Sequence, residues 1–187
     1  MTISLTTPIN FENQRGIRRD DNAKTPSFFC TADNVSVDTT LLRGLKVFSS
    51  DHNCDVRLCL HQTPEAPFHD MIILQRKDGG FRRPHCHATK GETWHLLDGE
   101  MLAIVFDSAG EVKDAGVLEP KKSFLFRVKE GMFHTTLPLT ETVIFHESKP
   151  GPFLGDGDSI YPDWAPDGSD VNSSSTYQQE LLRSFGK

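Results

Sequence analysis

No stretch of the 187-residue sequence approaches the roughly 20 consecutive apolar residues that a bilayer demands, so no membrane-spanning helix is expected. The opening residues, MTISLTTPINFENQRGIRRDD, lack the basic start, apolar stretch and small-residue cleavage site of a secretory signal, and a cytoplasmic location is expected. Cysteine is scarce. Cys30, Cys54, Cys59 and Cys86 fall at irregular spacing without a Cys-x-x-Cys pair, which argues against a disulfide framework and for reduced thiols. A basic stripe is missing as well: the formal net charge is −6, and RGIRR and PKKS are isolated, so nucleic acid is not expected as a partner. No internal repeat is present.

What is there is the makeup of one soluble domain with tails, 36% apolar and 25% charged. Residues 1–45 are polar and weakly patterned and are expected to form an arm, although LLRGLKVF at 41–48 is apolar enough to dock on a core. From Val56 onward the chain becomes a series of strand-sized runs: VRLCLHQ, HDMIILQR, TWHLLDG, MLAIVFD, EVKDAGVL, SFLFRV, FHTTLP and TVIFHE. Turn signals separate them, among them KDGG, ATKG, LDGE, DSAG and KEGM. Eight or so short strands at that spacing point to an all-β closed barrel or double-sheet jelly roll over residues 46–153. Residues 154–187 begin with a stretch rich in Gly, Pro, Asp and Ser, which can order only by lying on the domain. TYQQELLRSF is expected to close the chain as a short amphipathic helix.

Within this frame, RRPHCHATKGETWH carries the chemistry. Side chains of an extended strand alternate faces, so His85 and His87 point the same way and Cys86 the other, and two imidazoles can share one ion. A turn at ATKG leads to Glu92 at the start of the next strand, from which an antiparallel neighbour would return its carboxylate to the pair. His134, just after the turn KEGM, is the best third imidazole. Three histidines and a carboxylate suit Fe, Mn, Ni, Co, Cu or Zn as a divalent ion and leave one or two positions for substrate or water. The alternative, polar residues on a barrel face with no ion, stays open for the His-x-His pair taken alone.

The spacing resembles the first motif of the cupin superfamily: a glycine, five residues, His-x-His, four residues, Glu, six residues and Gly, met here by Gly79, His85, His87, Glu92 and Gly99. The second motif keeps Gly131 and His134 but has Ser123, Lys129 and Pro138 where the superfamily has glycine, proline and asparagine. Those departures touch turn geometry more than ligation. The resemblance implies a double-stranded β-helix, or jelly-roll barrel, with His85, His87, Glu92 and His134 as metal ligands. RLCLHQTPEAPFHDMIILQ, RPHCH, ETWHLLDGEMLAIVFD and FHESKPGPF are similar to the WbuC-type cupin-fold metalloproteins, a bacterial family named from O-antigen polysaccharide gene clusters; the likeness spans roughly residues 53–165 and brings no defined reaction.

Other residues carry two readings each. His61 and His69 flank QTPEAPF and either reach the barrel mouth or stand as solvated loop-end histidines. His95, three after Glu92, falls on the outer face, and His146 reads as a structural histidine. Arg82 and Arg83 precede the pair, where one can grip a carboxylate or phosphate or simply lie in solvent. Trp94, two after Glu92, faces inward as core or as a platform for a sugar ring. Phe124, Phe126, Phe133 and Phe145 read as barrel packing. The expected function is a metal-binding protein acting on, or holding, a small hydroxy-carbonyl, carboxylate or sugar-derived ligand, by isomerisation or O2-dependent dioxygenase chemistry if it is an enzyme. The alternative is a non-catalytic binding or sensing module. His61, Arg83 and Glu147 are the catalytic candidates, and the strands MLAIVFD and SFLFRV are candidate pairing edges for a homodimer.

Overall fold

In the computed structural model, which describes residues 9–11 and 13–187, all eight strand-sized runs form strands. They are β3 (Val56–Cys59), β4 (Phe68–Arg76), β5 (Glu92–Asp98), β6 (Met101–Phe106), β7 (Val112–Leu118), β8 (Leu125–Val128), β9 (Phe133–Pro138) and β10 (Thr142–Pro150). Two more precede them, β1 (Ile17–Asp20) and β2 (Ser27–Cys30), within the stretch read as an arm. β1 pairs antiparallel with β2, and β2 pairs parallel with β3, so these residues extend the sheet. The boundary expected at residue 45 falls inside helix α1 (Thr39–His52). IRRD and SFFC are too short to signal strands; the ladder offered by β3 holds them.

Two sheets result among the described residues. The larger runs β1-β2-β3-β4-β10-β5-β8 and the smaller β7-β6-β9, facing each other as a jelly roll. Gly99, at φ +84°, takes the chain from β5 in one sheet to β6 in the other. Trp94 and Leu96 on β5, Phe145 on β10, Met71 and Ile73 on β4 and Met101, Ala103 and Val105 on β6 fill the space between the sheets.

The outer faces are covered too. α1 starts where the Asp38 carboxylate accepts a hydrogen bond from the Leu41 amide at 2.8 Å and stops at Asn53, which adopts the left-handed conformation. Leu41, Leu45 and Ser49, four residues apart, are its buried stripe. They lie on the outer face of the large sheet against Val56, Leu58, Ile72, Leu74 and Ile144; cutting the fully buried Leu45 to alanine would cost about 2–5 kcal/mol. Every residue of β6 is buried because Leu102, Ile104 and Phe106 on its other face pack under Trp164 and Leu181, Leu182 and Phe185 at the chain's end. Leu181 and Leu182 belong to α2 (Val171–Ser184), which starts five residues earlier than TYQQELLRSF indicates, at an Asp170 cap. β6 is therefore flanked on both sides and presents no pairing edge, contrary to expectation. β8 does end the large sheet, with Leu125 53% exposed.

Candidate metal centre

His85 and His87 lie in an extended segment that pairs with β9, His85 exchanging backbone hydrogen bonds with His134 at 2.8 and 3.1 Å. That bridge adds the segment to the small sheet and sets His85 beside His134, their ring centroids 4.6 Å apart. Cys86, pointing away as alternation requires, pairs through its backbone with Ile160 of the C-terminal extension. Glu92 arrives differently from the sequence expectation. β5 pairs with β10 and β8 and not with the histidine segment, so the carboxylate comes from the opposite sheet across the interior. One ligand atom from each of His85, His87, Glu92 and His134 lies within 4.8 Å of all the others.

The ring orientations follow from backbone acceptors. Nδ1 of His87 meets the Asp158 carbonyl, Nδ1 of His134 the Met132 carbonyl at 2.9 Å, and Nδ1 of His85 the Arg83 carbonyl at 3.3 Å. A carbonyl can only accept, so each Nδ1 carries the proton and each Nε2 keeps its lone pair, the form a metal requires. His87 Nε2 is 2.7 Å from Glu92 Oε1. His134 Nε2 is buried, stands 3.3 Å from Glu92 Oε2 without hydrogen-bond geometry, and has no other partner. A buried lone pair with no donor costs free energy unless a cation takes it, so the donor set fits a transition ion. Burial, together with the neighbouring His134, lowers the His85 pKa to about 3, leaving that ring neutral at physiological pH.

Lys149 was not singled out in the sequence. It lies on the inner face of β10, four residues after the inward Phe145, and its side chain is 12% exposed. Its Nζ is 2.7 Å from Glu92 Oε1, 3.2 Å from Glu147 Oε1 and 3.3 Å from His87 Nε2. Burial works to raise the Glu92 carboxyl, but the Lys149 ammonium outweighs it and holds the group well below the usual carboxylate range. Burial likewise works to lower Lys149, and Glu147 and Glu92 outweigh that to raise it. A second buried lysine, Lys90, pairs with the Asp158 carboxylate and so fixes the segment whose carbonyl aims His87.

The remaining candidates are dispersed. His61 is half-buried, stacked 4.3 Å from His69, with Nδ1 engaged by the Asp70 backbone. Burial and the His69 ring lower its pKa to about 4. Glu147 faces inward and is ion-paired to Lys149. Arg83 lies over the Tyr161 ring at 4.7 Å and donates to the Pro162 carbonyl, while Tyr161 is 6.2 Å from His85. Arg82 is committed to Asp55 and the Arg76 carbonyl. His95 sits on the outer face beside Phe124, and His146 bonds Asp70 at 2.9 Å. Trp94 is 2% exposed, stacked on Phe126 and edge-on to His134. Phe145 packs in the inner core, whereas Phe124 is exposed.

A family model described as "Domain of unknown function (DUF6016)" matches residues 56–118, and no curated protein matches the chain. Among solved structures, the capsular polysaccharide assembling protein CapF from Staphylococcus aureus is similar at 14% identity and a TM-score of 0.47, over 57% of this chain and 31% of that one. Cellulomonas parahominis L-ribose isomerase is similar at 15% identity and a TM-score of 0.47, over 64% of this chain and 72% of the isomerase. Lactobacillus farciminis oxalate decarboxylase is similar at 18% and 0.42, over 63% and 32%. The chain thus spans less than a third of the length of CapF.

Proposed function

We propose that His85, His87, Glu92 and His134 hold one divalent first-row transition ion, Fe, Mn, Ni, Co, Cu or Zn, in a jelly-roll cavity that takes a small hydroxy-carbonyl, carboxylate or sugar-derived ligand. One observation carries this: three imidazoles from two paired backbone segments have their Nδ1 atoms tied to backbone carbonyls, and His134 Nε2 lies buried and unsatisfied beside Glu92. A bound ion of this kind supplies a Lewis acid, and a redox-active one also supports O2-dependent chemistry. The chain supplies the rest. Trp94 walls the interior next to His134, the Arg83–Tyr161 pair borders His85, and Lys149 with Glu147 places a cation and an acid beside Glu92. A sugar-derived ligand accords with the WbuC-type likeness and its polysaccharide setting, in a cytoplasmic protein that pairs through the β8 edge.

The second reading is a non-catalytic binding or sensing module. It is favoured by the engagement of both candidate bases, Glu147 with Lys149 and His61 with the Asp70 backbone. Elemental analysis of wild type, His85→Ala and His134→Ala tests the metal centre. The wild type should carry close to one equivalent of transition metal and both variants should lose most of it; equal content in all three rejects the assignment. A screen of O2 uptake and sugar-isomer interconversion over keto-acids and nucleotide sugars separates the two readings. A turnover lost in Glu92→Ala supports an enzyme, and silence across the panel supports the binding module.

A further inference from the structure

Arg57 pairs in register with Ile73 of β4, and Ile73 belongs to the core between the sheets, so Arg57 projects from the inner face of the large sheet. Ile73 in turn stands opposite Phe145 of β10, so Arg57 lies one inward row from the Cys59–Met71–Glu147 row, and Glu147 is ion-paired to Lys149. Among the described residues no carboxylate pairs with it and no acceptor meets its donors, and its Nε is buried without a partner. The acids nearest the centre are already taken, since Glu92 and Glu147 both pair with Lys149. A second orphan donor shares the interior. The indole N–H of Trp94 is buried with no acceptor, and Trp94 stands opposite Glu147 in the ladder.

Charge points the same way. Two interior carboxylates, Glu92 and Glu147, balance two interior cations, Lys149 and Arg57. A divalent ion on the four ligands, as in the function proposed above, leaves two positive charges uncompensated on the inner face. This occurs inside a chain whose formal net charge is −6, so the surplus belongs to the cavity and not to the protein at large. A planar carboxylate fits a free guanidinium fork, and the apolar core residues Ile73 and Phe145 in the same inward row offer the fork no acceptor.

We propose that Arg57 is the specificity-determining residue of this cavity and that the ligand is a small organic carboxylate, gripped by the Arg57 guanidinium. The charge argument rests on the metal reading above; the unpartnered guanidinium does not.

Calorimetric titration of wild type, Arg57→Met and Arg57→Lys tests it, using glycolate, lactate, pyruvate and oxalate as probes, with ethylene glycol and inorganic phosphate as controls. Each protein is titrated both cobalt-loaded and after chelation, with metal content and melting temperature recorded. The wild type should bind at least one acid and ignore ethylene glycol. Arg57→Met should weaken that binding by at least about tenfold, at unchanged metal content and melting temperature, because a charge-assisted bond is lost and no protein contact is. Arg57→Lys, which keeps the charge without the fork, should fall between the two and serves the comparison should the methionine variant not fold. Equal affinity in wild type and both variants overturns the proposal, as do phosphate binding as tight as any acid and a wild type that binds none of the four. A wild type that takes up no cobalt rejects the metal centre alone, since the chelated titrations still read Arg57.

Discussion

Replacing Lys149 with methionine separates the protein's own cation from the metal it stands beside. In the metal-free protein the ammonium sits 2.7 Å from Glu92 and 3.2 Å from Glu147. At an effective dielectric near 20, each contact is worth about 5–6 kcal/mol of Coulomb attraction, most of it offset by desolvation of the buried ammonium. Removing the lysine leaves two carboxylates without that offset, at a net cost of about 3 kcal/mol, or a melting temperature lower by about 6–12 °C in a chain of this length. A divalent ion repairs much of the damage, since it satisfies Glu92 without having to displace an ammonium that also lies 3.3 Å from His87 Nε2. Lys149→Met should therefore bind manganese or zinc at least about tenfold more tightly than wild type, about 1.4 kcal/mol, and recover more of its melting temperature when metal is added. Thermal melts in chelator and in graded metal read both effects. An unchanged melting temperature in chelator, or the same metal-induced gain in both proteins, would refute the reasoning.

Stability of the metal-free protein should fall with acidity. His61 has a folded pKa of about 4 against an ordinary value of 6.5, so its contribution is complete above about pH 6.5 and disappears as the pH drops toward 4; His85 acts in the same sense down to about 3. Urea unfolding at pH 7.5 and 5 should show His61→Gln with a shallower pH dependence, by about 1–2 kcal/mol after allowance for the half-exposed ring, and an equal slope counts against the assignment. Gly99→Ala forces a side chain onto a positive φ and puts its Cβ 2.5 Å from the Thr142 carbonyl, so the unfolding midpoint should report a loss of about 2–4 kcal/mol. Asp38→Ala removes the cap of α1 and should cost about 1 kcal/mol, with an unchanged metal content.

The barrel strands were legible because each alternates or runs apolar between glycine-bearing turns, and the ligand set because His-x-His on an extended segment can point only one way. The route of Glu92 was not legible: a short loop after the histidines suggests a hairpin, and only the pairing of β5 with β10 and β8 shows that the chain crosses to the other sheet. Lys149 was hidden by composition. HESKP reads as a polar strand end, yet once Phe145 faces inward, residues 147 and 149 must follow, and the lysine reaches the centre. Arg57 was concealed in the same way, since VRLC does not reveal its facing until β3 is registered against Ile73. β1 and β2 depend on the ladder that β3 offers and carry little local signal of their own.

One ligand's aim is controlled from outside the barrel. His87 owes its tautomer to the carbonyl of Asp158, a residue of the loop-rich extension that Lys90 pins by its carboxylate. Cutting the Lys90–Asp158 pair would retain all four candidate ligands while freeing one ring to swivel. The extension thus works as a gunsight for one candidate ligand while its Trp164 and Leu181 roof β6, so drift at Asp158 bears on the metal centre and drift at Leu181 on the fold.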